Sequence, residues 1–365
     1  MASTQARKTV LVTGANGYIG SSVCRAFVRA GWRVFGHVRR LESAQSLSAN
    51  EVIPLVGSID LKDLAATTAS TGKGLIQDYP FSEALLDHSR TVDVIVGCSG
   101  QWPDYASHYH GVIRFFRAIA ALSNANGVKP LVLWSSGCKD YGAGDLHGTP
   151  GLKPHTEDSP IVTEGFLAPR TSHSMRVFEH SDMFDATLLR PTNVYGYSSS
   201  FYGLCFDLLG DIAGGSYTTE SHNTTTIQLS LEGRSIMHAM HVDDCAKAYL
   251  ALAEHSARDA VAGQCFNISS SSYETCESII NALAREYGIR EDIAFMGEDK
   301  DTPADLANLF GFSQWVDSSK LRRLTGWYER RASFVENISV YRRAYESAKG
   351  TSGGIATRLQ STSFK

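Results

Sequence analysis

Three glycines near the N-terminus have the spacing of a phosphate-binding turn. Gly14, Gly17 and Gly20 lie in the sequence GANGYIG, which follows the apolar run TVLVT and precedes a helical pattern. In the order strand, turn, helix, such glycines let the backbone approach a pyrophosphate, which then lies at the positive end of the helix. The sequence therefore predicts a dinucleotide site. We expect the turn to contact the ligand through Gly14, Asn16, Gly17, Tyr18, Ile19 and Gly20.

The end of the second predicted strand, Trp32–Val38, bears on the choice between NAD and NADP. A carboxylate there would bind the ribose 2′-hydroxyl, whereas an arginine would bind a 2′-phosphate. The strand is followed by Arg39 and Arg40, and the first carboxylate is Glu42. Because the guanidinium fork suits a phosphate, Arg39 predicts NADP(H) rather than NAD(H), unless both arginines merely cap a surface loop. Asp60, after the third strand, is expected to bond the adenine amino group.

Strands and helices alternate through the first 196 residues, which predicts an α/β fold with a doubly wound parallel sheet. Strands are expected at 9–13, 32–38, 51–56, 92–96, 131–134 and 186–189, and helices at 108–124, 171–182, 243–255 and 274–287. Residues 198–200 and 216–230 are rich in Ser and Thr and predict loops. We assign residues 1–196 with part of 235–270 to the dinucleotide-binding domain, 197–234 and 271–349 to a smaller substrate-binding part, and 350–365 to a mobile tail.

Composition narrows the class of partner. The chain has 34 Lys and Arg against 38 Asp and Glu, a net charge of −4, and no long basic run, which argues against nucleic acid or an anionic membrane. A small molecule is the better expectation. The seven cysteines include no C-x-x-C pair, so neither a disulfide framework nor a zinc site is indicated. Without a signal-peptide pattern or an apolar span, the sequence predicts a reducing, cytoplasmic location.

Seven segments occur in the order typical of one family: TGANGYIG, GSIDL, WSSGCKDYG, LRPTNVYG, MHVDDCAKAYLAL, CFNIS and SKLRRLTGW. Through them the chain resembles the extended short-chain dehydrogenase/reductase superfamily, in its epimerase/dehydratase and dihydroflavonol-reductase-like branch. The resemblance implies that NADP-using members carry their 2′-phosphate arginine at Arg39. It also implies that Pro191, Asn193 and Val194 line the nicotinamide and substrate side and that the 98–105 loop borders the reacting carbon. Ile59, Cys98, Ser99 and Gly100 are expected to bind the cofactor, and Gln101, Trp102, Tyr105 and Met175 to line the substrate pocket.

The resemblance further implies a homodimer formed by helices 108–124 and 171–182. The first helix offers the apolar positions Val112, Phe115, Phe116 and Ile119.

The chain departs from the family at its catalytic residues. Members usually use a Ser or Thr after the fifth strand and a Tyr-x-x-x-Lys at the next helix, where the phenol acts as acid or base and the ammonium lowers its pKa. Here Gly137 stands at the Ser/Thr position, Thr171 at the Tyr position and Met175 at the Lys position. The one literal match, Tyr345 to Lys349, lies far along the chain and is interpreted as chance.

A substitute proton donor is therefore required. The candidates are Ser136, Lys139, Tyr141 and Thr171, with Tyr105 and Ser174 as further hydroxyls, and His173 is turned away on the helix. The H-x-H of His108 and His110 lacks an evident third ligand, so no metal is expected. Asp243 and Asp244 are expected to start a helix, where they would serve capping and the helix dipole rather than act as an acid/base pair.

Three functions stay open. The first is an NADP(H)-dependent oxidoreductase acting on a small oxygenated molecule with a rewired proton donor. The second is a redox-neutral isomerase, dehydratase, cyclase or lyase that retains the nucleotide, and the third is a non-catalytic NADP(H) sensor.

Overall fold

The computed structural model describes residues 7–60, 63, 75–162, 164–165, 167–215, 226–299 and 302–349. The strands of this part of the chain are β1 (Thr9–Thr13), β2 (Arg33–Val38), β3 (Ile53–Val56), β4 (Val94–Gly97), β5 (Leu131–Ser135), β6 (Asp185–Pro191), β7 (Asn193–Tyr195), β8 (Thr226–Leu229), β9 (Ile236–Met237), β10 (Ala239–His241), β11 (Cys265–Ile268), β12 (Glu274–Thr275) and β13 (Asp292–Phe295). The α-helices are α1 (Tyr18–Arg29), α2 (Ala44–Ser48), α3 (Ser82–Leu86), α4 (Tyr105–Ala125), α5 (Ala168–Met175), α6 (Gly203–Ala213), α7 (Val242–Ala253), α8 (Cys276–Tyr287), α9 (Ala304–Phe310), α10 (Ser319–Thr325) and α11 (Ile338–Lys349).

Seven parallel strands form the central sheet, in the order β3-β2-β1-β4-β5-β6-β11. Helices cover both faces, so most strand residues are buried and the strands are almost continuously apolar. One face packs α1 and α7 on Val10, Val12 and Leu133, and the other packs α4 on Leu11, Ile95 and Val132. The order of the strands reverses between β1 and β4, which places a crevice beyond their carboxyl ends, where ligands bind in such sheets.

The smaller part of the structure follows β7 in the chain. Helices α6, α8, α9 and α11 share a core with the aromatic side chains of Tyr195, Tyr202 and Phe334. Three two-stranded sheets join β7 to β10, β9 to β12 and β8 to β13. The predicted fold class is therefore confirmed, a parallel sheet of Rossmann type with smaller C-terminal sheets.

Most predicted elements occur with small shifts at their ends. The loop predicted at 216–230 is wrong in part, because Thr226–Leu229 forms β8 and pairs with β13, while 216–225 lie outside the described residues. The helix predicted at 171–182 ends at Met175 and continues as 3₁₀ turns through His180. The predicted tail, 350–365, also lies outside the described residues.

The apolar positions offered for a dimer lie inside the subunit. Val112, Phe115, Phe116 and Ile119 are all fully or almost fully buried against the sheet, so they cannot form a contact between subunits. The periodic apolar stripe of α4 belongs to the core of the monomer. Polar groups lie at the surface between α4 and the following turns, where Arg117 donates to Asp182 at 2.7 and 2.8 Å. The homodimer stays a prediction without the contact residues first offered for it.

No helix in the described ranges combines the length and the apolar character needed to cross a membrane.

Candidate functional site

The glycine turn brings three backbone segments closer than side chains would allow. Gly14 has φ +64°, and a Cβ there would lie 2.8 Å from the carbonyl oxygen of Cys98. A Cβ on Gly20 would lie 2.1 Å from the carbonyl oxygen of Gly14, so α1 can pack on the turn only if this residue is glycine. Gly17 precedes α1, whose first turn contains no acidic residue. This cradle therefore fits a pyrophosphate at the positive end of a helix.

A cavity of about 380 Å³ opens over the carboxyl ends of β1 to β4. Its lining contains ten of the predicted residues: Gly14, Asn16, Gly17, Arg39, Ile59, Asp60, Cys98, Ser99, Gly100 and Gln101. Sequence reasoning missed seven others: His37, Val38, Ser58, Asp63, Ser107, His108 and Gly111. The last three lie on the first turns of α4, and a Cβ on Gly111 would approach the carbonyl oxygen of Ile59 to 3.2 Å. Nothing in the sequence around Ser107, His108 and Gly111 distinguishes them from other helix residues.

Arg39 lies at an exposed position on this cavity. Its Nη1 donates to Oε1 of Gln101 at 3.5 Å, which is a long bond to a neutral amide. Near the end of β2, Nδ2 of Asn16 donates to Oγ of Ser43 at 3.0 Å. The Arg39 guanidinium therefore lies where a phosphate could replace the Gln101 amide as its hydrogen-bond partner.

Several predicted residues lie outside this cavity, toward β6 and the smaller part. Tyr18 is half-buried, and its hydroxyl donates to the carbonyl oxygen of Gly196 at 2.5 Å. Burial, and then the charge of Asp243, raise the pKa of Tyr18 well above its usual value. This bond links the cofactor turn to the loop after β7. Ile19, Gly20, Pro191, Asn193, Val194, Trp102, Tyr105 and Met175 are likewise absent from the cavity lining.

Three of the four catalytic candidates meet at or beside the buried carboxylate of Asp140. Its Oδ2 accepts from the Ser136 hydroxyl at 2.5 Å, and its Oδ1 accepts from the Thr171 hydroxyl at 3.0 Å. Arg170 and Arg190 form ion pairs with the same carboxylate at 2.8 and 3.4 Å. Sequence reasoning missed Asp140 as the centre of this cluster, because nothing in the sequence of this turn indicates that its aspartate is buried.

Tyr141 is engaged in the packing beside this cluster. Its hydroxyl donates to Oδ1 of Asn267 at 2.7 Å and accepts from Nη1 of Arg190 at 3.1 Å, while its ring stacks on His155. Burial raises the pKa of Tyr141 above its usual range. Because its one proton is already donated inside the protein, the geometry argues against Tyr141 as a proton donor.

Lys139 points from the same turn toward the smaller part. Its Nζ donates to the carbonyl oxygen of Asn308 at 2.6 Å and lies 4.3 Å from the centre of the Phe312 ring. Burial, with a further contribution from Arg170, lowers the pKa of Lys139 to about 8. The ammonium thus joins the two parts of the molecule.

The hydroxyls of Tyr105 and Ser174 form a separate buried group that does not line the cavity. Tyr105 and Ser174 are 3.4 Å apart at their oxygen atoms, and Nε1 of Trp134 donates to Ser174 at 3.1 Å. Met175 accepts at Sδ from Nη2 of Arg190 at 3.2 Å, although 39% of its surface stays exposed. A thioether therefore contacts a guanidinium at Met175, the position where the resemblance predicts an ammonium in other members.

The remaining motifs have structural partners. Asp244 accepts from the backbone N–H groups of Arg330 and Arg331 at 3.0 and 2.8 Å, which anchors the C-terminal segment on α7. Asp243 and Asp244 lie in the first turn of α7, as their expected role toward the helix dipole requires, but the side-chain cap is His241, whose Nδ1 accepts from the N–H of Asp243 at 3.1 Å.

The chance Tyr-x-x-x-Lys match lies on the outer side of the smaller part. Tyr345 and Lys349 both donate to Asp207 of α6, at 2.8 and 2.6 Å. His108 and His110 find no partners for a metal site, since the described residues contain no group of three or more suitable ligands.

Comparisons with known proteins agree with this fold and cradle. Residues 10–269 match the epimerase family described as the NAD dependent epimerase/dehydratase family, and the chain belongs to it. UDP-arabinose 4-epimerase 1 of Arabidopsis thaliana is 23% identical over 353 residues, which cover 90% of this chain and 77% of that protein. The cofactor class of the family is a nicotinamide nucleotide.

Two solved structures illustrate the likeness in fold. The UDP-glucose 4-epimerase of Thermotoga maritima with UDP-glucose superposes with a TM-score of 0.64 at 18% identity, over 93% of this chain and 99% of that one. RMD from Pseudomonas aeruginosa complexed with NADPH gives a TM-score of 0.58 at 14% identity, with the same coverage.

Proposed function

We propose that this chain binds NADP(H) and catalyses a redox-neutral conversion of a small oxygenated substrate, an epimerisation or a dehydration. In such a reaction hydride leaves the substrate and returns to it within one turnover. The family and its curated relative support the reaction class, because that relative is a sugar-nucleotide epimerase. The glycine cradle supports the dinucleotide, and Arg39 on the cavity supports the 2′-phosphate.

The observation that carries the proposal is the contact between Ser136 and Asp140. Ser136 donates its proton to the carboxylate at 2.5 Å, so the lone pairs of its oxygen can accept a hydrogen bond from a substrate hydroxyl. A proton removed from the substrate then moves to Ser136 while the serine proton moves to Asp140, and the same path returns it. Thr171 donates to the other carboxylate oxygen and positions it. When bound, the nicotinamide would supply the hydride acceptor and donor.

A net NADPH-dependent reduction is the second candidate, and the place of Arg39 on the cavity favours it, because a 2′-phosphate site would select NADPH. A reduction needs only donation to the substrate oxygen, whereas a redox-neutral cycle needs both removal and return.

Turnover with a defined substrate panel tests the proposal. The full chain is incubated with NADP⁺ or with NADPH, together with UDP-glucose, UDP-arabinose or UDP-glucuronic acid, and the products are separated by liquid chromatography and weighed by mass spectrometry. We expect a product of unchanged mass, or one lighter by a water molecule, with no net change in NADPH absorbance. Stoichiometric loss of NADPH would support the reductase instead, and tight NADP(H) binding without any turnover would support a sensor.

The matched variants are Ser136→Ala and Ser135→Ala. Ser135 lies next in the chain, but its hydroxyl contacts Tyr249 at 2.8 Å rather than Asp140. Because general acid–base catalysis contributes roughly 10²-fold or more, we expect that loss of turnover in Ser136→Ala and a much smaller loss in Ser135→Ala. Equal losses in both would contradict the role given to Ser136.

A further inference from the structure

The cluster around Asp140 holds more positive than negative charge. Arg170 and Arg190 both pair with this one carboxylate, whereas the Lys139 ammonium points away to the carbonyl oxygen of Asn308. Buried charge of one sign is costly unless an opposite charge accompanies it. The two guanidinium groups and the one carboxylate carry a net charge of +1, which one more anion would balance.

Asp140 itself cannot balance the excess. Its Oδ1 already accepts from Arg170 and Thr171, and its Oδ2 accepts from Ser136 and Arg190, so each oxygen has two donors. A carboxylate offers about four acceptor positions in all. Any unused donor in the cluster must find its acceptor elsewhere.

The unused donors belong to Arg170. All three nitrogens of Arg190 have acceptors, in Asp140, Tyr141 and Met175, and only 2% of its side chain is exposed. Arg170 donates only through Nη2, while its buried Nε has no hydrogen-bond partner within the described part of the chain. Its side chain is 21% exposed, so an incoming group can reach it. An unsatisfied buried donor is destabilising, and an acceptor that reaches it would recover this loss.

Arg170 also lies close to Ser136 at the carboxyl end of β5. A Cβ built on Gly137 would be 3.4 Å from both Nη1 and Nη2 of Arg170. Gly137 follows Ser136 after β5, the strand that pairs with β4, although neither residue lines the cavity itself. The guanidinium therefore lies at the Ser/Thr position of the family and close to Ser136.

We propose that Arg170 binds a carboxylate of the substrate at this edge of the sheet. The planar fork of a guanidinium matches a carboxylate with two parallel hydrogen bonds, and Nε with a terminal nitrogen is such a pair. This inference rests on the proposed function, because it places the anion beside the proton carrier Ser136. It adds that the substrate is an acid and that Arg170 orients it.

The test uses benzoate and its neutral isostere benzamide as probes of the full chain saturated with NADP⁺. Calorimetric titration gives the affinity of each probe for the wild type, Arg170→Met, Arg170→Lys and the control Arg176→Met. Arg176 follows the same helix but is exposed and pairs with Glu179 at 3.3 Å. Thermal unfolding and the affinity for NADP⁺ are measured in parallel for every variant.

We expect benzoate to bind the wild type at least ten-fold more tightly than benzamide. Arg170→Met should lose that preference, Arg170→Lys should keep part of it, and Arg176→Met should keep it all. The inference is overturned if the wild type does not distinguish the probes or binds neither, or if a folded Arg170→Met retains the preference. If Arg170→Met does not fold, Arg170→Lys and the wild-type comparison decide. Failure to bind NADP⁺ would instead refute the proposed function, and benzoate titration of the cofactor-free chain would still judge Arg170.

Discussion

Replacing Arg39 by alanine tests whether the protein prefers NADP⁺ to NAD⁺, two nucleotides that differ only by the 2′-phosphate. In the structure Arg39 contacts the amide of Gln101 at 3.5 Å, so a 2′-phosphate would displace only a weak neutral bond. A hydrogen bond to a charged group contributes about 1.5–3 kcal/mol. Because Arg39 is exposed and screened by salt, we take about 2 kcal/mol, which corresponds to roughly a 30-fold change in affinity.

Titration of the full chain with NADP⁺ and with NAD⁺ measures the effect. We expect Arg39→Ala to weaken NADP⁺ binding by that factor and to leave NAD⁺ binding unchanged. Arg40→Ala is the matched control, because Arg40 is exposed and does not line the cavity. Equal weakening of both nucleotides by Arg39→Ala, or a wild type that prefers NAD⁺, would refute the assignment of NADP(H).

Three further variants test the cradle and the cluster. Gly20→Ala should abolish NADP⁺ binding and lower stability in urea, since its Cβ would lie 2.1 Å from the carbonyl oxygen of Gly14, whereas Gly210→Ala on α6 should be neutral or stabilising. Asp140→Asn should lower the free energy of unfolding by about 3–5 kcal/mol, because it leaves two guanidinium groups without their carboxylate, and a loss below about 1 kcal/mol would contradict this. Lys139→Met should flatten the pH dependence of stability. Burial lowers the pKa of Lys139 to about 8 in the folded state, so between about pH 8 and 10 the unfolded chain binds more protons than the folded one. The wild type should therefore gain stability relative to the variant as the pH rises through this range. Urea unfolding at several pH values measures that difference, and parallel curves would contradict it.

The sequence predicted the sheet, and ten of the residues expected to bind the cofactor line one cavity, whereas the contacts among the catalytic candidates did not follow from it. Strand and helix periods, together with the glycine turn, depend on residues near one another in the chain. The contact of Gly14 with Cys98 and the place of Arg39 on the cavity follow from the order of parallel strands. These features need no knowledge of side-chain packing.

The cluster around Asp140 could not be read in the same way. Its members come from the turn after β5, from α5 and from β6, and their pairing depends on which charged side chains become buried together. Periodicity likewise showed Phe115 and Phe116 as apolar, but it could not show whether the sheet or a second subunit covers them. In the structure the sheet covers them.

The seventh strand of the sheet has a consequence for the order in which the chain can be made. β11, at Cys265–Ile268, pairs with β6 and lies at the edge of the sheet, although more than 70 residues separate the two strands along the chain. During synthesis, the edge of β6 stays unpaired and the apolar Leu188 and Leu189 stay exposed until β11 has left the ribosome. Open strand edges attract other strands. A fragment ending near Gly196 would keep that edge permanently and should aggregate, so the nascent chain is most vulnerable over this interval.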